Sequence, residues 1–222
     1  MKLLAALLFA FPPQPGGPEP APESKPEPTE RTEKTRPGGW LEKFPGPQEG
    51  FLIRLQSLCT GDRYAGRVVS NDPQDAAMRA EPLTIGPAAC ETEDGRLRAI
   101  AIPFAVGDDR TRTWHLTRTG TGLRLRHEHR GVPGQGSPVT GYGGAADGGG
   151  TFTRQAFPAD AETRALFAEA GREASRENVW TLEIVPGDVL AYALDRPDRA
   201  FRAEFDLTRP VADDVQAARE SE

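Results

Sequence analysis

His115, His127 and His129 are the only histidines of the chain, and they sit close together. Residues i and i+2 of a strand share a face, so His127 and His129 have the spacing of a two-imidazole metal site or an acid–base pair. Arg112 and Arg118 precede them, with Trp114 between. Guanidiniums beside apolar walls suit a carboxylate or phosphate ligand. The candidate ligand-binding residues are therefore Arg112, Trp114, Arg118, Leu125, His127, His129 and Tyr142.

Other chemistry finds less to work with. Glu128 alternates to the face opposite His127 and His129, which leaves that pair short of a third metal ligand. No metal, cofactor or catalytic residue is assigned. Ser137 has no G-x-S-x-G elbow around it. The glycine-rich stretch 131–150 is not a phosphate loop, since no Gly-Lys-Ser/Thr follows it. It reads as a mobile flap over a barrel mouth or as a long hairpin connection. Asp108-Asp109 reads as a turn. Cys59 and Cys90 are the only cysteines, an even count that predicts a disulfide in an exported protein.

The elements that must position these residues are strands. Short apolar runs separated by Gly, Pro, Asp and Asn predict strands over 64–70, 82–91, 96–106, 111–119, 122–130, 137–142, 150–157, 178–185, 188–195 and 200–208. A two-residue turn at Gly120-Thr121 pairs Trp114 with His127 and Leu116 with Leu125. One face then carries Arg112, Trp114, Leu116, Arg118, Leu123, Leu125, His127 and His129, and His115 points away. A turn at Pro186-Gly187 sets Trp180, Leu182 and Ile184 beside Val189, Ala191 and Ala193. A turn at Pro197-Asp198 sets Leu190, Tyr192 and Leu194 beside Phe201, Ala203, Phe205 and Leu207. The strand 188–195 is thus apolar on both faces and needs a cover on its outer one. Two helices are available, one over 51–58 and one over 161–170, the latter capped by Asp160 and stopped by Gly171. The predicted fold is mainly β: an antiparallel, lipocalin-like barrel or two-sheet sandwich of about ten strands, with one or two helices packed outside.

The whole chain has 222 residues and a net charge of −6, which argues against a nucleic-acid partner. Lys2 followed by the apolar run Leu3–Phe11 reads as a signal-like segment, residues 1–11. Residues 12–48 are rich in Pro and Glu and read as a disordered linker, with Trp40 and Phe44 near its end. A single β-rich domain is expected over 49–211 and an acidic tail over 212–222. No apolar run is long enough for an integral span once the signal is removed.

The stretch Arg110–Arg130, with its Arg-Thr-Arg-Thr-Trp and His-Glu-His-Arg runs, and the segment Phe201–Val211 resemble an uncharacterised family of bacterial exported proteins. The likeness spans residues 50–211, implies export and lends no catalytic residue. The architecture is similar to lipocalin-like carriers, although Tyr64-Ala65-Gly66-Arg67 stands where those carry Gly-x-Trp. The expected function is a periplasmic or secreted, non-enzymatic barrel that binds a small amphipathic or anionic molecule. The alternatives are a metal-dependent or other hydrolase using His127 and His129, and a cell-envelope interaction protein whose linker meets its partner.

Overall fold

The computed structural model describes residues 46–131 and 138–212. The signal-like segment, the linker up to residue 45 with Trp40 and Phe44, Ser137 and the tail from 213 lie outside the described residues. Among those described, eleven strands form one antiparallel sheet: β1 (Arg63–Val68), β2 (Leu83–Ile85), β3 (Ala89–Glu93), β4 (Arg96–Val106), β5 (Asp109–Thr119), β6 (Gly122–His129), β7 (Tyr142–Ala145), β8 (Arg154–Pro158), β9 (Val179–Val185), β10 (Val189–Arg196) and β11 (Arg199–Val211). Their order is β7-β6-β5-β4-β2-β1-β11-β10-β9-β8, with β3 on β4. The two end strands approach each other, where Asp160 N–H donates to Gly143 O and Asp147 N–H to Ala156 O, each at 3.1 Å. The sheet is a nearly closed barrel, as the strand pattern predicts.

The β5–β6 pairing follows the predicted register throughout, Trp114 opposite His127 and Leu116 opposite Leu125. The β10–β11 pairing does too, with Tyr192 opposite Ala203 and Leu194 opposite Phe201. The β9–β10 pairing does not. Val185 pairs with Val189 across a three-residue turn, Pro186-Gly187-Asp188, with Gly187 at φ 71°. That extra residue puts Trp180, Leu182 and Ile184 opposite Leu194, Tyr192 and Leu190, all facing the core. The outer face of β10 then carries Ala191 and Ala193, which neither the helix over Gly46–Leu55 nor that over Ala161–Glu169 covers among the described residues. Both are small enough to be buried under a lattice of long side chains. In that lattice Glu183 binds Arg154 at 3.1 Å and Arg202 at 2.9 Å, and Arg202 binds Glu204 at 2.9 Å.

Two predicted strands also differ. The run 82–91 is broken into β2 and β3 at the cis Gly86-Pro87 step, where proline has no N–H for the ladder. The strand expected over 137–142 lies instead at β7, inside the glycine-rich stretch read as a flap or a long hairpin connection. Those glycines serve close approach. A Cβ on Gly144 would sit on the Pro158 carbonyl oxygen, and one on Gly143 on the Leu125 carbonyl. Thr163 seals the same seam, its Oγ1 accepting from Gly143 N at 2.8 Å and donating to Gly143 O at 2.7 Å.

The helices are α1 (Gly46–Leu55), α2 (Ala76–Arg79) and α3 (Ala161–Glu169). The first begins within the segment read as linker: Gln48 is buried and its Oε1 accepts from Leu123 N at 3.1 Å. It touches β4 on one side of the barrel and β8 and β9 on the other, so it lies across an open end instead of packing outside. Phe51, Leu52 and Leu55 enter the same core as the inward strand residues. Asp160 caps α3 by accepting from Thr163 N at 2.9 Å, and Gly171 ends that region at φ 66°, as predicted. The predicted disulfide is formed between Cys59 and Cys90, tying the segment after α1 to β3. No helix among the described residues is long and apolar enough to cross a membrane.

Two stability predictions follow from closure and cross-linking. Gly144→Ala is expected to lower unfolding free energy by about 2 kcal/mol or more in urea titrations, whereas Gly46→Ala, with open space around it, leaves it nearly unchanged. Replacing both cysteines by serine releases a loop of 31 residues and is expected to cost about 3–4 kcal/mol.

Candidate functional site

β4, β5, β6, β10 and β11 place side chains around a cavity of about 150 Å³ lined by Phe104, Arg112, Trp114, His127, Tyr192 and Phe201. Met78, Leu194, Arg199 and Tyr142 complete its walls, together with Glu128. Below it the barrel is solid, filled by Leu116, Leu125, Trp180 and Leu182. Of the seven residues singled out from the sequence, Arg112, Trp114, His127 and Tyr142 meet at this cavity. Leu125 lies deeper, fully buried in the core. His129 stands opposite Arg112 on β6 but does not line the cavity. Arg118 is near the other end of β5, six residues or roughly 20 Å along the strand from Arg112.

The aromatic walls are ordered by ring contacts. Trp114 stacks on Tyr192 with centroids 4.4 Å apart and on Phe104 at 4.9 Å. His127 stacks on Tyr142 at 4.8 Å. Its ring is held from both sides by hydrogen bonds. Tyr142 O can only accept, so Nδ1–H donates to it at 3.2 Å, and Nε2 accepts from the Tyr192 hydroxyl at 2.8 Å. Burial drives the His127 pKa down to about 3, so the ring is neutral. Burial likewise pushes the Tyr142 and Tyr192 phenols up, which keeps both protonated.

The two cations of the cavity each hold an acid. Arg112 pairs with Asp109 at the start of the same strand. Burial works against the Asp109 carboxylate, but hydrogen bonds from Thr111 and the Arg112 charge outweigh it and hold its pKa below the usual range. Arg199 pairs with Asp75, whose side chain is fully buried and also accepts from Ser70 Oγ at 2.9 Å. The Arg199 Nε–H is buried with no acceptor among the described residues. His115 lies outside, its Nε2 2.8 Å from Glu128 Oε2.

Sequence reasoning missed Phe104, Tyr192, Arg199 and Phe201 as site residues. Phe104 was within reach, because it faces Arg112 across β4–β5. Tyr192 and Phe201 share one face of their predicted hairpin, with nothing to bring that face to Trp114. Arg199 carries no local signal, since its acid is 124 residues away.

With both ring nitrogens engaged inside the protein, His127 presents no lone pair to a metal beside His129. No cluster of three or more His, Cys, Asp or Glu among the described residues could hold one. Comparison with protein-family models, curated proteins and solved structures finds no match to this chain. Its function is therefore read from the cavity itself.

The His127 shift fixes the sign of an acid effect. Its folded pKa lies below the unfolded value of about 6.5, so the unfolded chain takes up a proton first as pH falls. This residue's part in stability is complete above about pH 6.5 and declines by about 1.4 kcal/mol per unit between there and about pH 3. NMR of the imidazole is expected to show the neutral Nδ1–H tautomer down to pH 4. A titration near pH 6 would overturn that assignment.

Proposed function

We propose that this chain is an exported, non-enzymatic binding module whose barrel mouth takes a small amphipathic or anionic ligand. The observation that carries this reading is the aromatic cavity with Arg112 and Arg199 in its wall. Aromatic faces bind the apolar part of a ligand, and guanidiniums in a water-poor setting bind its anionic end through charge-assisted hydrogen bonds. At about 150 Å³ the hollow is smaller than the ~300–1,000 Å³ of sites that enclose drug-sized molecules, which favours a ligand of few atoms over a carried lipid.

The Cys59–Cys90 disulfide supports a periplasmic or secreted setting, since such bonds persist in oxidising compartments. The hydrolase reading has less behind it. His127 is neutral, but its acceptor nitrogen is already used by Tyr192. A linker-mediated envelope partner remains the role proposed for residues 12–48, of which the described part, 46–48, belongs to α1.

Full-chain protein purified from its source is expected to retain a small acid in native mass spectrometry and release it on denaturation. Arg112→Gln or Arg199→Gln should weaken its rebinding at least about tenfold, the scale of one charged hydrogen bond. Protein that arrives empty and binds no small acid by calorimetry would sink the proposal.

A further inference from the structure

Resting on that binding reading, we propose that the ligand is a single-ring aromatic monocarboxylate. Size, wall chemistry and charge each narrow the choice.

The hollow measures about 150 Å³, and an apolar cavity of about that size accommodates one benzene ring. A long acyl chain has nowhere to run, because Leu116, Leu125, Trp180 and Leu182 close the barrel beneath with no more than 1% of their surface exposed. Five of the lining side chains, Phe104, Trp114, Tyr142, Tyr192 and Phe201, are aromatic. Aromatic rings gain from offset and edge contacts with another ring beyond what area burial alone supplies. They are stiff as well, with Trp114 clamped between Phe104 and Tyr192, so the opening is better suited to a flat guest than to a flexible one.

Charge separates carboxylate from phosphate. Two guanidiniums line the cavity, and each already carries an acid, Asp109 on Arg112 and Asp75 on Arg199. Glu128, on the same wall, is turned to His115. His127 adds no third cation, being neutral. A monoanion can share the remaining guanidinium N–H groups, whereas a dianionic phosphate would bring two charges towards Asp109 and Asp75. A planar carboxylate also matches the fork of a guanidinium.

Isothermal titration calorimetry on the full chain with benzoate, phenyl phosphate, phenol and octanoate tests this. Benzoate is expected to bind at least tenfold more tightly than each of the other three. Arg112→Gln and Arg199→Gln should each weaken benzoate at least tenfold while leaving phenol within about twofold, and Arg118→Gln should change neither. Circular dichroism melts confirm that each variant is folded, and saturation-transfer NMR on benzoate reports ring contact in the wild type independently of any variant. Phenyl phosphate or octanoate binding as well as benzoate would overturn the ligand class and leave the binding module standing. The same holds if none of the four binds while protein from its source still carries a ligand. If that protein is empty too, both readings fall.

Discussion

The inward pairing of Trp114 with His127 is the constraint on which the rest depends. It follows from the two-residue connection between β5 and β6, and a slip of one residue would put Trp114 and Leu116 on the face opposite Leu125. With the register fixed, the indole meets Phe104 and Tyr192, and the imidazole meets Tyr142 and the Tyr192 hydroxyl. A buried neutral imidazole is tolerable because both of its nitrogens are satisfied. Tyr192 thereby serves two partners at once: its ring stacks on the indole and its hydroxyl bonds the imidazole. The cavity is the space these rings leave at the mouth, and its shape is inherited from the register.

Much of this was legible where local chemistry decides geometry. Alternation along β5 and β6 identified the buried face, and the helix at Ala161–Glu169 could be read from its Asp160 cap and the glycine after it. Legibility failed where a turn admits two lengths. Pro186-Gly187 looks sufficient for a two-residue hairpin, yet Asp188 belongs to the turn, and that single residue moved Trp180 to the opposite set of neighbours. Glycine misled in another way. Its ordinary meaning is freedom, so the stretch around β7 reads as a flap or a long hairpin connection, while at Gly143 and Gly144 it permits two backbones to touch. The turn at Gly120-Thr121 shows the same ambiguity. Its length was right, but the left-handed backbone falls at Gly122 and leaves room for Gln48.

The site was half legible for a related reason. Arg112, Trp114, His127 and Tyr142 lie on strands that are neighbours in sequence, so pairing rules bring them together. Phe201 and Arg199 come from the far side of the barrel, and only closure delivers them. Closure depends on contacts between α3 and β7, together with Arg126 reaching Asp160 at 2.7 Å and Glu162 at 2.9 Å over the bare backbone of Gly143. No pattern within one strand encodes such an arrangement. The lattice around Glu183 is similar: long side chains shelter two alanines where a helix seemed necessary.

The Thr163 hydroxyl, which clasps both backbone groups of Gly143, has a dynamic consequence. It adds to the two main-chain bonds across the β7–β8 seam, Asp160 N–H to Gly143 O and Asp147 N–H to Ala156 O, so the shortest line of bonding in the cylinder is stitched in part by a side chain. Breathing of the wall begins where cooperative bonding is thinnest. On that basis the β7–β8 seam is the part of the wall that opens first, and Tyr142 stands beside it at the start of β7. The aperture at the mouth is tied to the free energy of parting this one short seam more than to the stability of the whole domain.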